Sequence, residues 1–189
     1  SGHDLSLRTA GQVYGVREAA AEFFGAAGPE QVVFTQNCTH ALNLVIHGLL
    51  RQGDHVVISD LEHNSVLRPV HTLAQRGVIT YSVARTSRED GETVEAFRRC
   101  LAPNTRLIPC THGSNLVGWR LPIGALAELA ARAGVLFGVD AAQTAGVEPL
   151  DMGAMGIDFL CTAGHKGLYG PAGTGLLVTR RGGLLRPLL

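Results

Sequence analysis

The sequence predicts an α/β fold of three layers: a mostly parallel, doubly wound sheet of seven strands with one antiparallel strand. Short apolar, β-branched runs alternate with longer amphipathic stretches along the 189 residues. The runs are apolar on both faces, which is typical of parallel strands covered by helices on each side. The last two runs are joined by a loop too short for a crossover helix, so we expect the final strand to run antiparallel to its neighbours.

Seven runs are strand candidates because they are short and rich in valine, isoleucine and leucine. In chain order they span residues 31–35, 55–59, 77–83, 105–111, 134–140, 157–162 and 174–179. Helical patterns lie between them, as at 39–50 and 122–134, and an amphipathic stretch at 9–27 precedes the first strand. Pro122 and Gly134 are typical of a helix start and a helix end. A single domain over residues 1–189 is expected from this length.

Composition excludes several classes of protein. The net charge of +0 gives no reason to expect a nucleic-acid partner. No stretch approaches the roughly 20 apolar residues of a membrane span. The four cysteines have no CxxC spacing, which indicates reduced thiols and a cytoplasmic protein. The chain opens without methionine and stops on an apolar run, so we expect a fragment of a longer protein.

Polar residues follow several of the predicted strands, at the sheet edge where doubly wound folds bind ligands. Thr39 and the backbone of Cys38 lie at a helix start that could bind an anion, although a simple helix cap is the more economical interpretation of Thr39 alone. His63 follows the second strand, where a cap or a satisfied polar group would also explain it. Asn115 follows the fourth strand, where turn chemistry would suffice.

Asp140 ends a strand that is otherwise apolar, and Gln143 follows three residues later. Burying a carboxylate costs several kcal/mol unless it is paired, so we expect a cationic partner near Asp140. The alternative is that Asp140 caps a helix that begins at Ala141.

Lys166 is the only lysine among 16 basic residues, and it follows His165 in the glycine-rich stretch TAGHKGLYGPAGTG (162–175). An arginine guanidinium stays protonated and cannot act as an amine nucleophile, whereas a lysine can form a Schiff base. A surface lysine in a loop is the alternative, which the lack of any other lysine weakens. Together the strand ends offer what pyridoxal 5′-phosphate (PLP) requires: an anion site, an amine, a carboxylate for the ring nitrogen and a planar group.

Five stretches carry a resemblance to a known family. VVFTQNCTHALNLV, GDHVVISDLEHNSVLRP, THGSNLVGWRLPI, VDAAQTAG and TAGHKGLYGPAGTG resemble, in order, the class V aminotransferase group of fold-type I PLP enzymes. Within that group the chain is most similar to cysteine desulfurases and selenocysteine lyases. The resemblance implies two catalytic residues, Lys166 as the lysine that binds the PLP aldehyde and His63 as the histidine that stacks on the ring and handles protons.

The resemblance also implies the remaining cofactor contacts. Asp140 would partner the pyridine nitrogen, and Gln143 would donate to the ring O3′, with Asn115 nearby on the substrate side. The phosphate would be held by Thr39, the backbone of Cys38 and His165. The chain departs from the family at Ala163, where a hydroxyl residue is usual, and Thr162 is displaced from that place by one residue.

The implied reaction converts L-cysteine to L-alanine and passes sulfur to an enzyme cysteine on a loop downstream of the lysine. None of the four cysteines here has that place (Cys38, Cys100, Cys110 and Cys161). The chain therefore resembles the large PLP-binding domain, truncated before the small C-terminal domain, and we expect little or no activity from it alone. A homodimer, a sulfur-acceptor protein and a role in iron–sulfur cluster assembly are also implied.

Two other classes of function stay open at this point. One is another class V PLP enzyme, such as an amino-acid lyase, an epimerase or an aminotransferase. The other is a non-catalytic nucleotide-binding module built on GPAGTG, although these glycines precede a predicted strand and no Walker lysine spacing or GxGxxG motif occurs. A zinc site is not expected, because no HExxH motif or Cys/His cluster occurs.

Overall fold

The computed structural model describes residues 3–187, and the seven predicted strands are all present in it. They are β1 (Val32–Thr35), β2 (Asp54–Ser59), β3 (Ile79–Ala84), β4 (Thr105–Thr111), β5 (Leu136–Asp140), β6 (Phe159–Ala163) and β7 (Gly175–Thr179). They form a single sheet in the order β1-β7-β6-β5-β4-β2-β3. Strand β7 runs antiparallel to both β1 and β6, and the other recorded pairs are parallel. The predicted topology class is confirmed.

Helices cover both faces of the sheet, as predicted. They are α1 (Asp4–Phe23), α2 (Cys38–Leu49), α3 (Asn64–Gln75), α4 (Asp90–Cys100), α5 (Ile123–Ala133) and α6 (Met152–Met155). One apolar core contains residues of α2 and α3, such as Val45 and Val70, packed with Phe159 of β6. The other contains residues of α1, α4, α5 and α6. Among residues 3–187, no helix is long and apolar enough to cross a membrane.

The helix boundaries differ from the sequence pattern in ways that have local causes. The stretches predicted at 39–50 and 122–134 appear as α2 and α5, each within one residue. The stretch predicted at 9–27 begins earlier, at Asp4, and ends at Phe23, shortly before Gly25 adopts a φ of 64°. Glycine favours this left-handed conformation, which a helix cannot continue through.

The topology brings the polar strand ends together. Strands β2, β4, β5 and β6 are parallel, so their carboxyl ends lie at the same edge of the sheet. Strand β1 pairs with β7, which pairs with β6, both antiparallel, so β1 also points to that edge and α2 begins there. Residues that are far apart in sequence therefore meet at this edge.

Candidate active site

A cavity of about 170 Å³ lies at the carboxyl edge of the sheet. Its walls include all eight residues singled out in the sequence: Cys38, Thr39, His63, Asn115, Asp140, Gln143, His165 and Lys166. Ala163, named in the sequence as a departure from the family, also lines the cavity, and sequence reasoning missed five further lining residues: Asn37, Ser65, Thr111, Gly113 and Ala142. A larger and more open depression of about 700 Å³ around Trp119 contains none of the eight.

The first wall of the cavity is the N-terminus of α2. Asn37 is its cap, because its side-chain oxygen accepts from the N–H of His40 at 2.8 Å. The interpretation of Thr39 as the cap is therefore wrong. The N–H groups of Cys38 and Thr39 donate to none of the described residues, and they lie at the positive end of the helix dipole. This end of the cavity can accept an anion.

His63 has two roles that the sequence analysis treated as alternatives. It caps α3, because its Nδ1 accepts from the N–H of Ser65 at 3.1 Å, and it also lines the cavity. A ring nitrogen that accepts a backbone N–H carries no proton, so neutral His63 holds its proton on Nε2. The cap thus fixes both the tautomer and the position of the ring.

Asp140 is 4% exposed and ends β5 at the floor of the cavity. Its Oδ1 accepts from Cys38 Sγ at 3.3 Å and from the N–H of Ala142 at 2.9 Å. The bond to Ala142 closes a turn rather than starting a helix, since the next helix begins at Met152, so the helix-cap alternative is wrong. The expected cationic partner is not found within residues 3–187, where every recorded ion pair joins other residues.

Two glycines let the loop of Lys166 approach the turn of Gln143. A Cβ on Gly146, whose φ is 82°, would lie 2.2 Å from the carbonyl oxygen of Gly167. A Cβ on Gly167 would lie 2.4 Å from the carbonyl oxygen of Ala145. Neither position has room for a side chain. This close approach places Gln143 and Lys166 on the same cavity.

Thr162 does not replace the hydroxyl that is missing at Ala163. Successive residues of β6 face opposite sides of the sheet, and Ala163 lines the cavity while Thr162 does not. The Thr162 side chain is fully buried, and its hydroxyl donates to the carbonyl of Ala163 at 3.4 Å. The position that faces the cavity therefore carries a methyl group, and the hydroxyl of Thr162 lies outside the cavity.

The surroundings of the four cysteine thiols favour the protonated form. Burial raises the pKa of Cys38 well above its ordinary value, and the neighbouring Asp140 raises it further. Burial likewise raises the pKa values of Cys100, Cys110 and Cys161. Thiolates that accept sulfur or attack substrates have lowered pKa values. None of these four cysteines has the electrostatics of such a group.

Comparison with known proteins defines the class. A model of the family described as aminotransferase class-V matches residues 1–189, so the chain belongs to that family. A probable cysteine desulfurase of Methanothermobacter thermautotrophicus is 38% identical over 192 residues, which is 99% of this chain and 47% of that protein. The chain thus spans about half the length of this curated relative.

Solved structures agree with the sequence relatives. The apo structure of a cysteine desulfurase from Thermococcus onnurineus superposes with a TM-score of 0.92 at 31% identity, covering 100% of this chain and 48% of that one. A C-DES mutant with glycine covalently linked to its PLP cofactor superposes with a TM-score of 0.88 at 29% identity, covering 98% of this chain and 50% of that one. A complex of the cystine C–S lyase C-DES with its product cysteine persulfide superposes with a TM-score of 0.88 at 30% identity, covering 98% of this chain and 51% of that one.

Proposed function

We propose that the cavity binds PLP and that residues 1–189 form the large cofactor-binding domain of a PLP-dependent enzyme. The observation that carries this proposal is Asp140, a buried carboxylate without a cationic partner within residues 3–187, on the same cavity as Lys166. Burying a charge costs free energy that a partner of opposite charge offsets. Asp140 would pair with a protonated pyridine nitrogen, and the open N-terminus of α2 would hold the phosphate. The residues present therefore fit the cofactor.

Each of the chain's own residues has a distinct task in this proposal. The N–H groups of Cys38 and Thr39 bind the phosphate together with His165, and Asp140 keeps a proton on the ring nitrogen. The amine of Lys166 holds the cofactor and takes the proton from the substrate Cα. The ring of His63 covers the cofactor face. PLP, when bound, supplies an electron sink that stabilises negative charge at Cα.

For the whole protein we propose a cysteine desulfurase that converts L-cysteine to L-alanine, with Gln143 as the donor to the ring O3′ and Asn115 nearby on the substrate side. Support comes from relatives that carry this name, such as that of Methanothermobacter thermautotrophicus. We propose that sulfur passes to a cysteine outside this chain, because all four cysteines of the chain precede Lys166 and none lies on a loop downstream of it. Residues 1–189 alone are expected to show little or no turnover.

The setting of the enzyme is part of the same proposal. The described cysteines are free thiols, which suits a reducing, cytoplasmic compartment. A homodimer, a sulfur-acceptor protein and a role in iron–sulfur cluster assembly complete the proposal, and they follow from the family resemblance.

A second candidate is a lyase of the same family. It is favoured by the likeness to C-DES, whose structure is described as that of a cystine C–S lyase. Elimination would release pyruvate and ammonia together with sulfide from L-cysteine or cysteine persulfide from L-cystine, whereas desulfuration releases alanine and leaves the sulfur on an enzyme cysteine as a persulfide. Incubating the full-length protein with L-cysteine and with L-cystine, and measuring alanine and pyruvate, separates the two reactions.

The cofactor site is tested by borohydride reduction of the PLP-loaded, full-length protein followed by peptide mapping. Because Lys166 is the only lysine in this chain, a label within residues 1–189 identifies it without ambiguity. The label is expected on wild type and lost in Lys166→Ala and in Lys166→Arg, which keeps the charge but has no primary amine. A visible cofactor band that survives in both variants and resists dialysis would overturn the assignment.

A further inference from the structure

The turn that carries His63 is fastened on two sides. It spans residues 60–63, between β2 and α3. On one side Asp60 accepts hydrogen bonds from the N–H and hydroxyl of Thr86, at 3.0 and 2.8 Å, just beyond β3. On the other side Glu62 Oε1 accepts from the N–H of Thr111 at 2.9 Å, at the end of β4. The same Oε1 accepts from the hydroxyl of Ser59 at 2.6 Å.

Glu62 contacts β4 at its carboxyl end, whereas the recorded pairing of β2 with β4 lies at the amino-terminal ends of the two strands. The register between β2 and β4 pairs His55 with Thr105 and Val56 with Leu107, with a shift between these pairs. Both pairs lie in the amino-terminal halves of the strands. Thr111 stands directly opposite Asp140 in the register of β4 and β5. Glu62 thus connects the turn of His63, through Thr111, to the strand end that carries Asp140.

The burial of Glu62 favours the uncharged form of its carboxyl group. Oε2 is sealed from solvent and has no hydrogen-bond partner among the described residues. Burial raises the pKa of Glu62 to about 8, the nearby Asp140 also raises it, and the bonds from Ser59 and Thr111 lower it. The thiol of Cys110 is a further titratable neighbour. Glu62 is therefore mostly an uncharged carboxylic acid at neutral pH.

We propose that Glu62 is a positioning residue: it clamps the turn of His63 to the end of β4 and so sets the place of His63 relative to Asp140 across the cavity. This inference rests on the proposed function of the cavity. It assigns Glu62 no contact with the cofactor, because Glu62 does not line the cavity. Its oxygen matters as an acceptor, and its negative charge does not.

Three variants of the full-length protein test this. Glu62→Gln keeps an acceptor oxygen for Thr111 without a charge, and Glu62→Ala leaves the N–H of Thr111 unpaired. Asp60→Ala is the matched control, because it removes a bond of the same turn on the exposed side, away from the cavity. An unpaired buried donor corresponds to roughly a tenfold effect. We expect Glu62→Ala to weaken PLP binding about tenfold and to lower kcat with KM nearly unchanged, and Glu62→Gln and Asp60→Ala to behave like wild type.

A second measurement keeps the proposal testable if Glu62→Ala does not fold. A raised pKa means that Glu62 binds a proton in the folded protein that it releases in the unfolded chain. The contribution of this group to the free energy of unfolding is therefore complete below pH 4.5 and is lost as the pH rises to about 8. The urea midpoint of wild type is expected to fall over this range by more than that of Glu62→Gln. If the urea midpoints of wild type and Glu62→Gln changed with pH in parallel, the proposal that uncharged Glu62 holds the turn of His63 would be overturned. Wild-type PLP affinity in a folded Glu62→Ala variant would also overturn it.

These outcomes are separate from failure of the proposed function. If wild type gives no borohydride label on Lys166, the PLP proposal fails, while the urea curves still report on Glu62. If the label is present and PLP binding is as weak in Glu62→Gln as in Glu62→Ala, the PLP proposal stands but the positioning role of Glu62 is overturned. An uncharged acceptor oxygen has in that case failed to restore PLP binding.

Discussion

Two buried aspartates on neighbouring strands have opposite surroundings. Asp158 lies at the amino end of β6 and is 7% exposed; its Oδ1 is 3.3 Å from both Arg180 and Arg181. Its Oδ2 accepts from the N–H of Phe137 at 3.0 Å. Asp140 lies at the carboxyl end of β5 and is 4% exposed, and its described partners are the thiol of Cys38 and the N–H of Ala142.

The difference separates a structural charge from a charge kept for a ligand. Both carboxylates are buried to the same degree, so both need compensation of similar size. The protein supplies it in full for Asp158, with two guanidinium groups and a backbone N–H. At Asp140 it supplies neutral donors and leaves an open cavity beside the carboxylate. Of these two aspartates, the one without a recorded ion pair among residues 3–187 is the one that lines the cavity.

Asp140→Asn should give the largest effect of the variants considered, a loss of kcat/KM without a loss of stability. The proposed pairing with the ring nitrogen is a buried charge pair, and breaking such a pair costs about 3–5 kcal/mol, or roughly a 1000-fold loss in kcat/KM. The cofactor-free protein should be no less stable than wild type, because an unpaired buried charge has been removed. Steady-state kinetics and urea unfolding of the full-length protein measure the two effects. Near-normal activity with a loss of stability would place Asp140 in the same class as Asp158.

Asp158→Asn should give the reverse result. The side chains of Arg180 and Arg181 are 34% and 56% exposed, so solvent screens part of both interactions. We expect the free energy of unfolding to fall by about 1–3 kcal/mol. PLP affinity and borohydride labelling of Lys166 should not change, since Asp158 lies at the other edge of the sheet. A selective loss of cofactor binding at unchanged stability would contradict the comparison.

The sequence was sufficient to predict the sheet, because buried parallel strands leave continuous apolar runs that polar residues interrupt. Asp140 could be singled out as the polar end of such a run. Asp158 could not, although it also borders an apolar run, because its partners Arg180 and Arg181 come beside it only when β7 folds back against β6. The sequence pattern of a strand shows where a charge lies and not what faces it.

The missed features have the same cause. Glu62 looks like an exposed turn residue in the sequence, and only the neighbouring end of β4 reveals its buried contact. Helices α3 and α4 were not located individually by their periodicity, since α3 contains Pro69 and α4 buries only Thr93 and Phe97. The sequence pattern does not distinguish Asn37 from Thr39 as the cap, because both residue types cap helices and the exact start of α2 decides between them.

Cys38 offers the smallest and sharpest test, because its thiol donates directly to Asp140. An S–H group is a weak donor, so Cys38→Ala should weaken PLP binding only about two- to fivefold. Cys38→Ser provides a hydroxyl donor at the same place and should restore binding, since the N-terminus of α2 and its Asn37 cap are unchanged. Equilibrium titration with PLP measures both. If Cys38→Ala were as damaging as Asp140→Asn and serine did not rescue it, the carboxylate would depend on the thiol for its place, and a missing cation would no longer explain its role.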